Sequence, residues 1–165
     1  MATLTPFQTV GPFLHIGIQA GLEPLSAARP EALISIRGRL LDGAGAGIPD
    51  GVLEWWHPEL PFVQRSFTGE GGSFSITTIK PSTLTTPDGR VQAPHLAIRV
   101  LGRGIQTQYL TRLYFEDEAE TAGDPILNLV PAHRRQTLIA RPTASREYRF
   151  DVVVQGEHET VFFDI

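Results

Sequence analysis

Two apolar-rich runs between Pro94 and Phe115 constrain the fold of this chain more than any other feature of its sequence. In both runs hydrophobic side chains alternate with other residues, and a period of two is typical of strands that bury one face or both. Gly102 and Gly104 lie in the connection between the runs, where glycine permits a turn. The stretch therefore predicts a β-hairpin around which the rest of the chain is organised.

Arg112 lies on the second predicted strand of this hairpin. It has the same parity as Leu110 and Tyr114, so its guanidinium stands among large side chains rather than on an all-polar face. A charge in that position needs a partner. The spacing alone favours a structural role, in which the side chain extends to solvent or pairs with a carboxylate at the edge of the core, over a functional one.

Alternating patterns predict further strands on both sides of the hairpin. They cover residues 34–40, 52–56, 73–79, 146–155 and 160–165. The turn-rich segment 42–51 predicts that the first two strands form a long hairpin. Residues 57–72 and 80–94 have the composition of loops, and the segments after Asp124 and Pro131 predict two short helical pieces.

The length and composition favour one β domain. The chain has 165 residues, of which 41% are hydrophobic, 16 are glycine and 13 are proline. That length suits one domain with a sizeable core, and the Gly and Pro content favours short strands over long helices. We therefore predict an all-β fold: a single antiparallel β-sandwich domain at 1–165, with long loops, an irregular N-terminal arm at 1–31, the sandwich at 32–165, and one or two short helices.

The arm itself has little regular pattern. Residues 5–21 mix Pro, Gly and aromatic side chains without a period, which predicts an extended segment with turns, and residues 22–31 are compatible with one loose helical turn. Such an arm needs a surface on which to lie. That surface is either its own domain or another subunit, and the sequence leaves both open.

Charge and cysteine content exclude several classes of function. The net charge is -4, and no Lys/Arg-rich run interleaves with aromatic residues, so a nucleic acid is not expected as a partner. The sequence has neither a signal-peptide pattern nor a run of eighteen apolar residues, so we expect no membrane association and a cytoplasmic location. The absence of cysteine excludes disulfides, thiolate metal sites and a cysteine nucleophile.

No catalytic motif is visible in the residues themselves. The five histidines are isolated from one another, without a spacing that would direct two ligands to one metal: His15, His57, His95, His133 and His158. There is no nucleophile elbow, and no phosphate-binding loop. From residues alone the chain is interpreted as a binding sandwich without its own catalytic constellation.

Longer segments carry a resemblance. They are TPFQTVGPFLHIG at 5–17, LEWWHPE at 53–59, IKP at 79–81, APHLAIRVLGRGI at 93–105, LTRLYFEDE at 110–118, ILNL at 126–129, RRQTLIA at 134–140 and YRFDVVVQGEHETVFFD at 148–164. Together, and in this order, they resemble the alpha chains of protocatechuate 3,4-dioxygenase, in the intradiol ring-cleavage dioxygenase family. The resemblance covers nearly the whole chain.

The resemblance implies a subunit of an enzyme of aromatic catabolism in the β-ketoadipate pathway, which converts protocatechuate and O₂ to 3-carboxy-cis,cis-muconate. The family pairs an alpha chain with a related beta chain in a hetero-oligomer, and the beta chain holds Fe(III) through two tyrosines and two histidines. In this chain His95 stands near the first of those histidines, the second falls on Ala97, and the loops 57–68 and 80–94 contain no tyrosine. We therefore expect no metal site and no catalytic residue in this chain alone.

The resemblance also implies substrate-binding residues. Four positions are expected to face the substrate: Thr9, Gly11, Pro12 and Arg112. A planar guanidinium and a hydroxyl suit the carboxylate end of protocatechuate, and Gly and Pro let backbone approach the ring.

Two alternatives remain open from the sequence. One is a non-catalytic β-sandwich module that binds a small aromatic acid or a partner protein. The other is a self-sufficient metalloenzyme that uses His95 with carboxylates from elsewhere in the chain.

Overall fold

A computed structural model of the chain describes residues 6, 8–11, 13–18 and 32–164. The described strands are β1 Leu33–Leu41, β2 Val52–Trp56, β3 Gln64–Phe67, β4 Ser73–Ile79, β5 Leu84–Thr85, β6 Val91–Gln92, β7 His95–Leu101, β8 Tyr109–Phe115, β9 Ile139–Ala144, β10 Glu147–Arg149 and β11 Val152–Val153. The arm contributes one short helix, α1 Leu14–Ile18. Short 3₁₀ segments cover Glu70–Gly72, Ala119–Gly123, Leu127–Leu129 and Ala132–Leu138.

Nine strands form one long mixed sheet, and β5 and β6 form a separate small hairpin. The order is β11-β1-β10-β9-β8-β7-β2-β3, and β4 pairs with the free side of β1. The sheet folds over on itself: the side chain of Gln64 on β3 bonds to the Thr77 carbonyl (3.0 Å) and the Thr78 hydroxyl (2.7 Å) of β4. The sheet is nearly closed, and the predicted all-β sandwich class is confirmed.

The two halves of the folded sheet enclose the main core. Apolar side chains of β1 and β4, such as Ile36 and Phe74, lie in one cluster with those of β2, β7 and β8, such as Trp55, Ile98 and Phe115. Burial of this kind is the main stabilising contribution in a domain of this size. A smaller second cluster lies on the opposite face of β8 and is formed by Ala93, Tyr114, Leu127, Val130 and Leu138.

The central hairpin is confirmed. β7 and β8 pair antiparallel from His95–Tyr114 to Val100–Tyr109. In the connection between them Gly104 has a φ of +87°, a backbone conformation that glycine adopts at low cost. The strand expected at 73–79 has those bounds as β4, and the two helical pieces after Asp124 and Pro131 are present as 3₁₀ segments.

The long hairpin expected between residues 34–40 and 52–56 is wrong. β1 and β2, both described throughout, do not pair; β1 pairs with β4, and β2 pairs with β3 and β7. The connecting segment instead packs on the residues before β4, where a Cβ atom at Gly47 would lie 2.1 Å from the backbone of Gly71. An alternating pattern shows that a strand buries one face, but strands that pair and strands that face each other across a sandwich share that pattern.

Other expectations also need correction. The loop 57–72 contains β3, the loop 80–94 contains the β5–β6 hairpin, and the arm contains α1 rather than extended chain alone. The strand expected at 146–155 is divided into β10 and β11, because the Asp151 carboxylate accepts the Arg39 N–H (2.8 Å) in place of a backbone carbonyl.

The described residues 160–164 form no strand: their backbone bonds individually, as from Phe163 N to Leu110 O (2.7 Å). The helical turn suggested for 22–31 lies outside the described residues. Three strand pairs, β1–β10, β1–β11 and β8–β9, are parallel, so the sheet of the described chain is mixed rather than purely antiparallel. No helix among the described residues is long and apolar enough to cross a membrane.

Candidate functional site

The arm lies against the turn of the central hairpin. The Thr9 hydroxyl accepts a hydrogen bond from the Gly104 N–H (2.9 Å) and is 3.4 Å from the Gly102 carbonyl, to which it donates. The Gly11 carbonyl accepts from the Leu14 N–H (3.2 Å) at the start of α1. Thr9 and Gly11 are both exposed, and Pro12 lies outside the described residues. Thr9 is therefore placed beside this turn, and Gly11 follows it two residues along the arm.

Arg103 occupies the turn between the two glycines that bond to Thr9. Its side chain is 58% exposed, and its Nη2 pairs with Asp50 Oδ2 at 2.8 Å. The other guanidinium nitrogens have no partner among the described residues, so they remain available to an anion. Sequence reasoning overlooked this residue. An arginine between two glycines at a hairpin turn was the available signal, because such a turn presents its side chain to the surroundings.

Arg112 lies elsewhere on the hairpin. Its partner across the sheet is Ala97, and five residues of strand separate Ala97 from Gly102, which corresponds to about 16 Å. Among the described residues Arg112 forms no hydrogen bond to Thr9 or Gly11, and the grouping of all four predicted residues in one site stays a prediction.

The guanidinium of Arg112 is held from one side only. Its Nη1 donates to Gln92 Oε1 at 2.9 Å and lies 3.4 Å from the Tyr114 hydroxyl. It forms no ion pair with any residue that the structure describes, so the expected pairing with a carboxylate at the core edge is not observed there. A half-buried cation with a polar but uncharged environment is a candidate for binding an anion.

Arg112 borders a cavity of about 510 Å³ on the outer face of β7 and β8. Most of the lining is apolar, with contributions from Trp56, Ala97, Leu110, Leu129, Val130 and Phe163. Trp56, Ala97 and Arg112 lie in one row across three neighbouring strands. Trp56 is 49% exposed and Leu129 is 78% exposed, so two large apolar side chains stand at the rim.

Asp124 fixes the wall of this cavity. Its carboxylate is buried and accepts four hydrogen bonds, from the backbone N–H groups of Ala93, Ile126 and Leu127 (2.9, 2.9 and 2.8 Å) and from the Tyr114 hydroxyl (3.0 Å). These bonds join the segment after Asp124 to β8. Burial raises the pKa of Tyr114, so its hydroxyl keeps the proton that it donates.

His95 is a structural histidine in this arrangement. Its Nδ1 donates to the Ala93 carbonyl (2.8 Å), and its ring lies against the Tyr114 ring at 5.6 Å between centroids. Burial lowers the pKa of His95, and the positive charge of Arg112 lowers it further. The neutral ring is therefore a buried, hydrogen-bonded part of the structure at the start of β7.

The other described histidines do not join it. His57 is buried, and both of its ring nitrogens have bonds, to the Ile79 carbonyl (3.1 Å) and from the Glu59 N–H (3.1 Å). His133 and His158 are exposed, and the His15 side chain lies outside the described residues. No group of three or more potential metal ligands occurs in the described part of the chain. Around His95, where the resemblance would place iron ligands, Ala97 offers no donor and Arg112 offers a positive charge, so these residues do not fit Fe(III).

A buried ion cluster lies beside the cavity on the same face. Glu54 accepts hydrogen bonds from Arg65 Nε (2.8 Å) and Arg99 Nε (2.7 Å). Burial raises the pKa of Glu54, but the bonds to the two guanidinium groups outweigh it and hold the pKa below its ordinary value. Arg99 also lies over the Trp56 ring, 5.9 Å from its centroid. The cluster orients the tryptophan at the cavity rim.

Two curated proteins resemble this chain in sequence over its whole length. The chain is 36% identical over 192 aligned positions to the protocatechuate 3,4-dioxygenase alpha chain of Pseudomonas putida. The alignment covers 97% of this chain and 96% of that protein. The chain is also 36% identical over 201 aligned positions to the alpha chain from Burkholderia cepacia, with both chains covered completely. No family model matches the chain.

Solved structures show the same fold. The dioxygenase domain of a dioxygenase–carbohydrate-binding fusion from Streptomyces sp. SirexAA-E aligns with a TM-score of 0.61 at 22% identity, covering 80% of this chain and 85% of that one. Chlorocatechol 1,2-dioxygenase from Pseudomonas putida aligns with a TM-score of 0.63 at 19% identity, covering 80% and 63%. At the identity shared with the curated alpha chains over their full length, this chain belongs to the family of protocatechuate 3,4-dioxygenase alpha chains.

Proposed function

We propose that this chain is the iron-free alpha subunit of a protocatechuate 3,4-dioxygenase. It would pair with a beta chain and help to form the active site in which protocatechuate and O₂ become 3-carboxy-cis,cis-muconate. Fe(III) in the beta chain would supply the oxygen chemistry. The observation that carries the proposal is the 36% identity to named alpha chains across the whole length of both proteins. A cytoplasmic location, expected from the sequence, is part of the same proposal.

The arm and the hairpin turn are this chain's proposed contribution to that site. Thr9, Gly11 and Pro12 would face the substrate, as the resemblance implies. The Thr9 bonds to Gly102 and Gly104 support this, because they tie the arm to an ordered element and present Thr9 at an exposed edge. A site that lies between two subunits needs such a fixed edge, since a misplaced wall would hold the ring out of register.

Arg103 is the proposed carboxylate anchor at this edge. It lies between the two residues that hold Thr9, and it has guanidinium nitrogens that Asp50 does not use. A planar guanidinium binds a carboxylate through two parallel hydrogen bonds and so fixes both its position and its angle. Arg112 is also proposed to face the substrate, as the resemblance implies; its partner across the sheet, Ala97, is separated from Gly102 by about 16 Å of strand.

Reconstitution tests the proposed function. The chain is expressed with and without its beta chain, and protocatechuate cleavage is followed by O₂ uptake. We expect activity only from the complex, because this chain lacks donors for Fe(III) around His95 and Ala97. Deleting residues 1–13 should abolish the activity of the complex while the circular dichroism spectrum of the sandwich is unchanged.

Two results would contradict the proposal. A truncated complex that turns over normally would remove the arm from the site. A chain that binds aromatic acids but neither pairs with a beta chain nor supports turnover would favour the non-catalytic binding module instead.

A further inference from the structure

Three arginines lie side by side on the outer face of the sheet. Arg37 on β1 is the register partner of Arg149 on β10, and Arg149 is in turn the register partner of Arg141 on β9. Partners on neighbouring strands lie about 5 Å apart and point to the same face, so the three side chains form one row, the arginine row. All three residues are exposed.

One carboxylate is paired with these three charges. Asp151 accepts hydrogen bonds from Nε and Nη2 of Arg149, both at 2.9 Å. Arg37 and Arg141 form no hydrogen bond or ion pair with any residue that the structure describes, and Glu147, two residues before Arg149 on β10, forms no ion pair with them. Like charges directly opposite each other on neighbouring strands destabilise a sheet. The arginine row therefore lacks counter-charge within the described chain, although the protein as a whole has a net charge of -4.

A recess adjoins the arginine row. It has a volume of about 200 Å³ and is lined by Arg141 and Arg149 together with Gln136 and Thr137. This volume is below the range of about 300–1,000 Å³ that is usual for drug-sized ligands, so it suits a small ion. Thr137 fixes its wall, because the hydroxyl donates to the Arg134 carbonyl (2.8 Å) and accepts the Val161 N–H (3.1 Å).

Gln136 adds a neutral donor to this recess. The residue is exposed, and its side-chain amide has no hydrogen bond to the described part of the chain. An amide N–H and guanidinium N–H groups that converge on one small volume all donate, so their common ligand is an acceptor of hydrogen bonds with negative charge.

From these observations we infer that the arginine row binds a small oxyanion with two or more negative charges, of the phosphate or polycarboxylate class. One anionic group would lie in the recess, between Arg141 and the Arg149 nitrogen that Asp151 leaves free, and Arg37 would attract the remaining charge. A guanidinium binds the oxygens of a phosphate or a carboxylate through paired N–H donors, so the row suits both. The inference goes beyond the proposed function, and every residue it uses belongs to this chain.

Isothermal titration calorimetry on the full-length chain, alone and with its proposed beta chain, tests the inference. The probes are inorganic phosphate, citrate and, as the singly charged control, acetate. Sodium chloride keeps the ionic strength equal, because salt screens exposed charges. We expect one phosphate or citrate for each alpha chain and at least tenfold weaker binding of acetate. Tighter binding of phosphate would assign a phosphate-bearing ligand, and tighter binding of citrate a polycarboxylate.

Variants assign the binding to the arginine row. Arg141→Gln and Arg37→Gln should each weaken binding of the preferred probe by about tenfold, because each removes charged hydrogen bonds. Arg90→Gln is the matched control: Arg90 is an exposed arginine beside β6 that pairs with Asp88, and its loss changes the net charge equally. This variant should change binding less than about twofold.

Charge reversal separates binding from a structural role. Arg141→Glu places a carboxylate opposite Arg149, so it should abolish binding and raise the midpoint of thermal unfolding measured without the probes. If Arg141 instead stabilised the sheet, the same variant would lower that midpoint.

Four results would overturn the inference. One is the absence of phosphate and citrate binding to the complex, including the case in which partner protein covers the arginine row. Another is acetate binding as tight as that of the other two probes. The third is binding that Arg141→Gln and Arg37→Gln leave unchanged, or that Arg90→Gln weakens equally. The last is a lower unfolding midpoint in Arg141→Glu.

Discussion

The two arginines of the central hairpin should differ sharply in their effect on catalysis. In the alpha–beta complex, Arg103→Ala should lower kcat/KM for protocatechuate and leave catechol, which has no carboxylate, nearly unchanged. Arg112→Ala should alter kcat/KM little for either substrate. The contrast follows from position, because Arg103 lies in the turn that holds Thr9, whereas about 16 Å of strand separates that turn from Ala97, the partner of Arg112 across the sheet.

The expected magnitudes follow from exposure and distance. Removing one partner of a buried, hydrogen-bonded charge pair typically costs about 2–5 kcal/mol. Arg103 is 58% exposed in this chain and shares its charge with Asp50, so we expect the lower end, about 2 kcal/mol or roughly thirtyfold. About 16 Å of strand separates Ala97, the partner of Arg112, from Gly102 in that turn, so we expect Arg112→Ala to lower kcat/KM less than Arg103→Ala does.

Steady-state kinetics on both substrates decides between the two residues. Arg103→Lys should fall between Arg103→Ala and the natural enzyme, because a lysine keeps the attraction without the planar pair of donors. An equal fall for protocatechuate and catechol in Arg103→Ala would show that Arg103 supports the subunit contact rather than the carboxylate. A selective fall in Arg112→Ala would show that Arg112 is the anchor, as the resemblance implies, and the reasoning from distance would be refuted.

Three further results are expected. Glu54→Gln should lower the free energy of unfolding, measured in urea, by about 2 kcal/mol. This is somewhat less than for a fully buried ion pair, because the Arg65 and Arg99 side chains are about one-third exposed. A change no larger than that caused by Glu116→Gln, a control at an exposed residue, would contradict this expectation. Burial lowers the pKa of His57 and of His95, so below the unfolded value of about 6.5 the unfolded chain binds more protons. The two neutral histidines therefore contribute their full stability above about pH 6.5, and the free energy of unfolding should decrease from there toward pH 5.5. The decrease is at most about 1.4 kcal/mol per pH unit for each histidine. His95→Asn should make this decrease smaller, as measured by thermal unfolding at each pH. Elemental analysis of the dialysed isolated chain should find no stoichiometric iron, and about one tightly held iron per chain would favour the self-sufficient metalloenzyme.

Much of the fold was predictable, because the alternation of apolar side chains is a local signal. It gave the bounds of β4 and the pairing of β7 with β8, where a short glycine-containing connection leaves few other partners. The neighbours of β1 were not predictable in this way. Alternation shows which face of a strand is buried, and β1 with β2 presents the same pattern whether the two pair or face each other.

In the candidate site, too, local features could be predicted from the sequence, whereas tertiary contacts could not. The sequence shows that Arg112 is a charge among large side chains, but its Gln92 partner comes from a loop that no local pattern joins to β8. The contact of Thr9 with the hairpin turn is likewise tertiary, so the arm's position was left open between its own domain and another subunit. Arg103 was not predicted as a site residue, because the role proposed for it depends on that contact.

The row of residues across β2, β7 and β8 bears on the proposal that this chain holds no iron. Where the resemblance places a second histidine, Ala97 leaves space, and that space is part of the cavity. Arg112, directly across the strand pair from Ala97, adds a positive charge that repels a cation and attracts a carboxylate. Restoring a histidine at Ala97 would therefore not restore iron binding, because the positive charge and the missing tyrosine donors would remain. In the proposed enzyme, the strand pair that would position iron donors in the beta chain positions a guanidinium in this chain.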